Sequence, residues 1–299
     1  MRSNRLIKEL PLHLMVWPAL IIILIYAYAP MAGIIIAFEK FIPVKGMLNS
    51  EWIGLTNFKF LLELPDFKQV IFNTLNISIW KVATGLIVPI IVALLLNEVR
   101  KIYFQRVIQT LIYLPYFLSW VLLAGILIDV LSPNYGIVNS LIKLLGFQPI
   151  FFLGDNSWFQ PTVIITNVWK EFGFNTIIYL AALTSIDPTY YESAIIDGAS
   201  RWKQTLHITL PCMKPIIVLM MTLSLGSLFN AGFDQIFNLY NPVVYQSGDI
   251  LDTMIYRMGL LEARYGLSTA VSVFRSFISF ILISVSYFLA YKFADYRIF

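Results

Sequence analysis

The side chains of this sequence best suited to binding chemistry lie in one otherwise apolar stretch, where Asn167, Lys170, Glu171 and Phe174 follow i, i+3, i+4, i+7 spacing. That spacing puts four side chains on one face of a helix. The chemistry they offer is recognition. A carboxylate or an amide hydrogen-bonds hydroxyl groups, an ammonium pairs with an anion, and rings such as Trp169, Phe172 and Phe174 stack on flat apolar faces. The competing expectation for Lys170 and Glu171 is structural, a pair of polar groups that holds helices together. Adjacent helical residues point about 100° apart, so each is expected to contact another segment or a solute in preference to its neighbour. Catalysis finds no support. One cysteine, Cys212, and two histidines, His13 and His207, supply no nucleophile–base set and no metal cluster. No catalytic residue, metal site or cofactor is expected.

Composition dictates the elements that must position these residues. Of 299 residues, 59% are hydrophobic and only 13% charged, with mean hydropathy +0.76. A soluble domain carries about a quarter charged residues, so lipid must cover much of this chain. A transmembrane helix needs about 20 apolar residues. Six stretches qualify, near 14–37, 72–96, 107–130, 161–183, 211–233 and 267–290. The expected fold class is therefore all-α, a polytopic membrane protein of six transmembrane helices. The first run is too long for a cleaved signal and is read as a retained helix. Pro161 and Pro211 suit a first helical turn, while Pro18, Pro30, Pro89 and Pro115 fall inside spans, where kinks are tolerated if neighbours satisfy the freed carbonyls. No linker or repeat interrupts the pattern, which predicts one membrane domain over 1–299. Lys81, Lys170, Glu171 and Arg275 fall inside spans, so they should face protein or a water-filled cavity. Asp129 and Asp234, nearer span ends, can reach headgroup water.

The net charge of +4 does not point to nucleic acid, because the basic residues form short clusters between apolar runs, with no basic domain of interleaved aromatics. One side of the membrane receives Arg2, Arg5, Lys8, Arg100, Lys101, Arg106, Arg201, Lys203, Lys214, Lys292 and Arg297. The other receives Lys40, Lys45, Lys59, Lys68, Lys143, Arg257 and Arg264. The first set is larger and closer to the spans, which predicts a multi-pass protein with both termini in the cytoplasm. On the opposite face, longer segments near 39–71, 131–160 and 234–265 read equally well as plain connectors or as a docking surface for an extracytoplasmic partner.

The most informative segment is "SIDPTYYESAIIDGASRWKQTLHITLP", residues 185–211. Asp187 before Pro188 is an N-cap and first-turn signal. A short helix should run from there to about Asp197, with Tyr190, Ala194 and Asp197 on one face. Gly198 can adopt φ > 0 and end it. Ser200 can cap a second short helix, and Pro211 should open the next span. Small residues Ser193, Ala194 and Ala199 around the bend would let another protein approach closely. Physics alone also permits an amphipathic helix resting on lipid.

This segment resembles the EAA loop of ATP-binding-cassette (ABC) importer permeases, whose pattern is E-A-A, two residues, D-G-A, then I-x-L-P. Glu192, Ala194, Asp197, Gly198, Ala199, Ile208, Leu210 and Pro211 match in place; Ser193 and Thr205 depart from it. The resemblance extends over about 72–291, through "TLIYLPYFLSWV", "VWKEFGFNTIIYLAAL" and "FDQIFNLYNPVVYQSGDILDTMIYRMGL", and is nearest to the oligosaccharide branch, including permeases for uronic-acid-containing fragments. It implies a type I importer permease fold in a bacterial-type inner membrane, with a core at 72–291. It further implies a heterodimer with a second permease chain, two ATPase subunits and an extracytoplasmic solute-binding protein. Glu192, Ala194, Asp197, Gly198 and Ala199 would then couple to the ATPase. This chain has no G-x-x-x-x-G-K-[ST] run to cradle phosphates, so the resemblance places ATP hydrolysis on the separate subunits and makes this chain no enzyme. In maltose-type permeases the face matching Asn167, Lys170, Glu171 and Phe174 contacts sugar, as do positions matching Ser227 and Asn230, and Trp169 is a further ring placed to stack on the sugar. Lys170 and Glu171 replace uncharged residues there.

The alternative is a secondary transporter or channel for a small polar solute, with intramembrane charges carrying ions. It predicts inverted repeats and broken helices and leaves 185–211 unexplained.

Overall fold

The computed structural model describes residues 2–294, and the side chains of Pro11 and of 14–288. Arg2, Arg5, Lys8, His13, Lys292 and Arg297 of the sequence argument have side chains outside that range. Two compact units divide the chain: one runs to Leu64 and includes Ile255–Phe274, the other comprises Pro65–Met254 and the chain from Arg275 onward.

In the first unit, α1 (Arg2–Ile23) passes through a π-helical turn, Leu24–Tyr28, into a tight 3₁₀ stretch, Ala29–Phe38. Pro30 explains the change of winding, since it cannot donate to the carbonyl four residues back. Leu14–Phe38 is apolar over 25 residues and, Ala37 apart, none of it is buried, as a lipid-facing span requires. Strands β1 (Glu39–Lys40) and β2 (Glu51–Trp52) pair antiparallel, Glu39 opposite Trp52. This hairpin departs from the all-helical expectation. Helix α2 (Thr56–Glu63) returns to the span end, where Asn57 Nδ2 donates to the Ala37 and Glu39 carbonyls at 2.9 and 3.1 Å.

The second unit is built on two long helices. Helix α3 (Pro65–Asn97) buries Phe67, Val70, Asn73, Thr74, Ile77 and Ser78 at three-to-four spacing. The other, residues Asn156–Thr184, buries Phe159, Thr162, Val163, Thr166, Lys170, Gly173 and Thr176 in the same rhythm. They run side by side in the same direction. Asn76 Nδ2 donates to Gln160 Oε1 at 2.6 Å near one end, and Ala93 shares an apolar core with Tyr179, Leu183 and Met213 near the other. Between them in sequence come α4 (Ile102–Tyr113), a 3₁₀ turn Leu114–Phe117, α5 (Trp120–Val130) and α6 (Ile137–Leu144), so the helix at Asn156–Thr184 is α7. It is followed by α8 (Pro188–Ile196), α9 (Arg201–Gln204), a π turn Thr205–Thr209, α10 (Leu210–Leu225), α11 (Phe233–Leu239), α12 (Tyr245–Gly248) and α13 (Leu251–Tyr256). Helix α14 (Tyr265–Ala294) begins in the first unit and ends in the second.

Several expected elements are corrected. The span near 107–130 is not one helix: the α4 run, to Phe117, and α5 meet at 103°. Pro115 removes a ladder donor, and Ser119 restarts the helix as N-cap, accepting from Leu122 N–H at 3.3 Å. The span near 211–233 stops at Leu225, where the "GSLFNAG" sequence turns the chain and Gly232 takes φ +91. The second short helix after Gly198 is not separate from the next span, because Arg201–Leu225 is continuous. Its π turn, with Leu210 N–H donating to the Thr205 carbonyl, absorbs the missing N–H of Pro211. Among the described residues four helices are long and apolar enough to cross a membrane, or five with the bent pair counted as one. Helix α7 is long enough, but its polar residues keep it out of that group.

Candidate functional site

Each break in a span frees backbone carbonyls, and a freed carbonyl away from water must find a donor. The cations flagged in the sequence do this. Lys170 on α7, 6% exposed, donates to the Tyr116 carbonyl at 2.8 Å in the break between α4 and α5. Its ammonium also lies 5.0 Å from the Tyr116 ring centre and 5.6 Å from that of Trp120. Lys81 on α3 donates to the Ala231 carbonyl at 2.7 Å in the break after α10, and Arg275 donates through Nε to the Phe229 carbonyl at 2.9 Å. Arg275 also pairs with Asp252.

Around the second break, a fully buried Gln235 ties three helices together. Its Nε2 donates to the Val163 carbonyl at 2.8 Å and to Thr166 Oγ1 at 2.9 Å, while its Oε1 accepts from Lys81 Nζ at 2.5 Å. The space left beside this knot is a polar cavity of about 430 Å³, within the size range of ligand pockets. Ser78 and Lys81 of α3, Asn167, Glu171 and Asn175 of α7, and Ser224, Ser227 and Asn230 at the end of α10 contribute its polar wall, and Trp120 contributes a ring. A second cavity of about 420 Å³ shares Trp120, Asn230 and Gly232 with it and reaches Asp234, Asp252 and Arg275.

The structure therefore brings together Asn167, Glu171, Phe172, Ser227 and Asn230 of the expected groups and separates the rest. The single helical face splits into two ridges. Asn167, Glu171 and Asn175, at i, i+4, i+8, look into the cavity. Lys170 and Phe174 look toward the α4–α5 break, where Phe174 stacks on Tyr116 with centroids 4.0 Å apart and planes 3° from parallel. Trp169 is 44% exposed and lines neither cavity. As expected, Lys170 takes its nearest partner from another segment, the Tyr116 carbonyl; its Nζ also lies 3.6 Å from Glu171 Oε1, because the long lysine stem reaches around the helix. Sequence reasoning missed Asn175, Ser224 and Trp120, and noted Lys81 only as an intramembrane charge. Asn175 was findable by continuing the four-residue step from Glu171.

The 185–211 segment folds as a bend with two helical arms. Asp187 caps α8 by accepting from Thr189 N–H at 2.9 Å, which holds its carboxyl below the usual range. At the other end Gly198 takes φ +73. Ala199 N–H donates to the Ala194 carbonyl at 2.9 Å and Gly198 N–H to the Ile195 carbonyl at 3.0 Å, the paired bonds of a Schellman ending. Gln204 Nε2 bonds the Ala199 carbonyl at 2.9 Å, Tyr191 bonds Thr209 Oγ1 at 3.0 Å, and Arg201 pairs with Glu98 at the end of α3. The bend is thus rigidly built, yet it presents Tyr190, Ile195, Ile196 and Trp202 to the outside, Ile196 at 86% exposed. Clustered exposed apolar side chains of this kind mark interaction surfaces. Glu192, Asp197 and Gly198 are exposed beside them, with Ala194 and Ala199 half-buried behind.

A family model described as the binding-protein-dependent transport system inner membrane component matches residues 85–299. The polygalacturonan/rhamnogalacturonan transport system permease protein YteP of Bacillus subtilis (strain 168) is 41% identical over 291 residues, 97% of this chain and 91% of that protein. The arabinooligosaccharides transport system permease protein AraP of the same organism is 27% identical over 89% of this chain and 84% of its own length. Among solved structures, a chain of a bacterial ABC transporter involved in import of the acidic polysaccharide alginate superposes with TM-score 0.91 at 36% identity, covering 97% of this chain and 98% of that one. A chain of the bacterial alginate ABC transporter in complex with an alginate pentasaccharide-bound periplasmic protein gives TM-score 0.89, also at 36% identity, over 97% of this chain and 96% of its own.

Proposed function

Since the chain belongs to the family of binding-protein-dependent transport system inner-membrane components, we propose that it is the permease subunit of an ATP-driven importer that carries oligosaccharides into the cytoplasm by alternating access. The observation that carries this reading is the polar cavity bounded by α3, α7 and the break after α10, inside a chain otherwise clothed in apolar side chains. Asn167, Glu171, Ser227 and Asn230 would hold sugar hydroxyls there, with Trp120 as a stacking ring. Lys170 and Phe174 would serve the α4–α5 break instead.

In this reading six segments cross the membrane: the four apolar helices, the bent α4–α5 pair and α7. Support for α7 comes from its parallel run along α3, with its polar residues turned to the cavity or to other helices. Both termini and the 185–211 bend face the cytoplasm, where Glu192, Ala194, Asp197, Gly198 and Ala199 couple to an ATPase cleft. A second permease chain completes a heterodimer, two ATPase subunits hydrolyse ATP, and an extracytoplasmic binding protein delivers the sugar. The test is reconstitution of the chain with these partners in proteoliposomes. ATP-driven, binding-protein-dependent uptake of an oligosaccharide is expected. Uptake that follows an ion gradient and ignores ATP would favour the secondary transporter instead.

A further inference from the structure

We propose that α6 is an interfacial helix, and that the partner of its exposed face is the lipid surface itself, at the depth where headgroups meet acyl chains. That a membrane surrounds the chain follows from its family. The side of that membrane, the extracytoplasmic leaflet, rests on the topology proposed above.

The helix has two unlike faces. Ile137, Leu141 and Leu144 follow i, i+4, i+7 spacing and share one of them, with Leu145 alongside. All four are exposed, Leu144 at 82%. Asn139 lies on the opposite face and is buried. Its Nδ2 donates to the Leu131 and Ser132 carbonyls, both at 3.1 Å, and to the Ile150 carbonyl at 2.9 Å, while its Oδ1 accepts from the Ile150 N–H at 2.7 Å. The helix is thus fixed with its aliphatic stripe turned away from the protein, where water alone would leave it unstable.

Its position says what covers the stripe. Gly136, just before α6, has no room for a side chain, because a Cβ would lie 2.5 Å from the carbonyl oxygen of Val130, the last residue of α5. The helix therefore starts against the end of the bent α4–α5 pair, and Asn139 fastens it both to that end and to the approach to α7. It sits at the start of α7, whereas the 185–211 bend follows the other end. Tyr135 in the turn before α6 and Trp158 in the first turn of α7 are exposed at the same level. Tyr and Trp mark membrane–water interfaces. The abutting α5 is apolar and exposed one turn apart at Leu122 and Ile126, so the stripe continues a lipid-facing surface.

The chemistry of the stripe agrees. A docking patch for a soluble protein is anchored by Tyr, Trp and Arg, whereas this one is aliphatic throughout. Lys143 stands on its flank and donates to the Pro133 carbonyl at 3.3 Å, the place of a lysine on a helix lying in the interface plane. Because Asn139 joins α6 to both neighbours, anchoring it in lipid sets the level of α5 and α7, which carry Trp120 and Glu171 of the cavity wall.

The test uses the assembled complex in lipid nanodiscs, with cysteine-free partner subunits and Leu141→Cys or Leu144→Cys in a Cys212→Ser background, each labelled with an environment-sensitive fluorophore. Lipids brominated near the headgroup end of the acyl chain should quench both probes more strongly than lipids brominated near the chain terminus. Aqueous iodide should quench them weakly, and adding the binding protein should change neither result. Strong quenching by iodide with none from lipid would leave the stripe in water and overturn the proposal. Stronger quenching from the chain terminus would place it in the bilayer core and overturn the interfacial depth. Protection from iodide and from both lipids would mean that protein covers the stripe, the binding protein if protection appears only on its addition and the second permease chain if it is constant; either result overturns the lipid assignment. The quenching reads depth alone, so a failure of the proposed topology, read by impermeant labelling at Ser200→Cys, is distinguished from a failure of this proposal.

Discussion

Replacing Lys170 by Met should damage assembly of the protein and spare its selectivity. The methionine keeps the apolar stem but removes the donor that serves the Tyr116 carbonyl at 2.8 Å. A hydrogen bond from a charged donor contributes about 1.5–3 kcal/mol, and the carbonyl left behind belongs to a half-buried residue. The ammonium contacts with the Tyr116 and Trp120 rings add about 0.5–1 kcal/mol. Loss of the Glu171 contact adds little, because that carboxylate opens onto the cavity and water screens it. A total near 3 kcal/mol corresponds to roughly a hundredfold shift between the intact and the opened α4–α5 break. The assay is the fraction of chain recovered in assembled complex after graded heating in detergent, followed by uptake of neutral and acidic oligosaccharides per assembled complex. Lys170→Met should lose recovery at temperatures the parent survives, with the parental ranking of substrates in what remains. Glu171→Gln should do the reverse, assembling like the parent while changing uptake several-fold. If Lys170→Met assembles normally and re-ranks the substrates, the division of α7 into a structural and a cavity ridge is wrong.

Gly173→Ala should destabilise by about 1–3 kcal/mol, because a Cβ there would lie 2.0 Å from the Ile112 carbonyl oxygen, where α4 backbone touches α7. Gly125→Ala in α5, with open space around it, is the control and should be neutral or slightly stabilising; equal thermal shifts for the two would refute the contact. Gly198→Val should insert into the membrane but lose stimulation of the ATPase, since φ +73 strains a β-branched residue by about 1–2 kcal/mol although nothing lies within 4 Å. Gly198→Asn, which tolerates that conformation, should retain most transport, and a valine variant with parental uptake would remove the bend from the coupling role. Ser200→Cys, made in a Cys212→Ser background because Cys212 is itself exposed, should react with an impermeant thiol reagent only in inside-out vesicles; labelling of intact cells would invert the topology.

Much of the fold was legible because its signals are local. The cap at Asp187, the positive-φ glycine at 198 and the apolar run ending at Phe38 each depend on a few neighbouring residues. The breaks were harder to place. Pro115 announces one, but a proline inside a span is compatible with a mild kink, and the 103° bend also needs Ser119 to restart the helix and Lys170, distant in sequence, to satisfy Tyr116. After Leu225, "GSLFNAG" carries turn residues within an apolar composition, so hydropathy extended the span to 233 across a break that Lys81 and Arg275 hold open.

The same physics explains why the candidate site residues divide between the cavity and the α4–α5 break. A charge inside an apolar span has two ways to avoid lipid: it can line a water-filled cavity, or it can satisfy a carbonyl that a broken helix leaves bare. Sequence marks the charge and is silent on the choice, because the carbonyl belongs to a segment 54 positions away for Lys170 and 150 for Lys81. Spacing along α7 could not decide it either. Asn167, Lys170, Glu171 and Phe174 share a face broad enough to touch two neighbours, and one step of about 100° separates the residue that faces the cavity from the one that faces the break. Lys81 does both, holding the Ala231 carbonyl while lining the cavity. Opening or closing of the turn at 226–232 would therefore move that charge with it, linking the backbone break to whatever occupies the cavity.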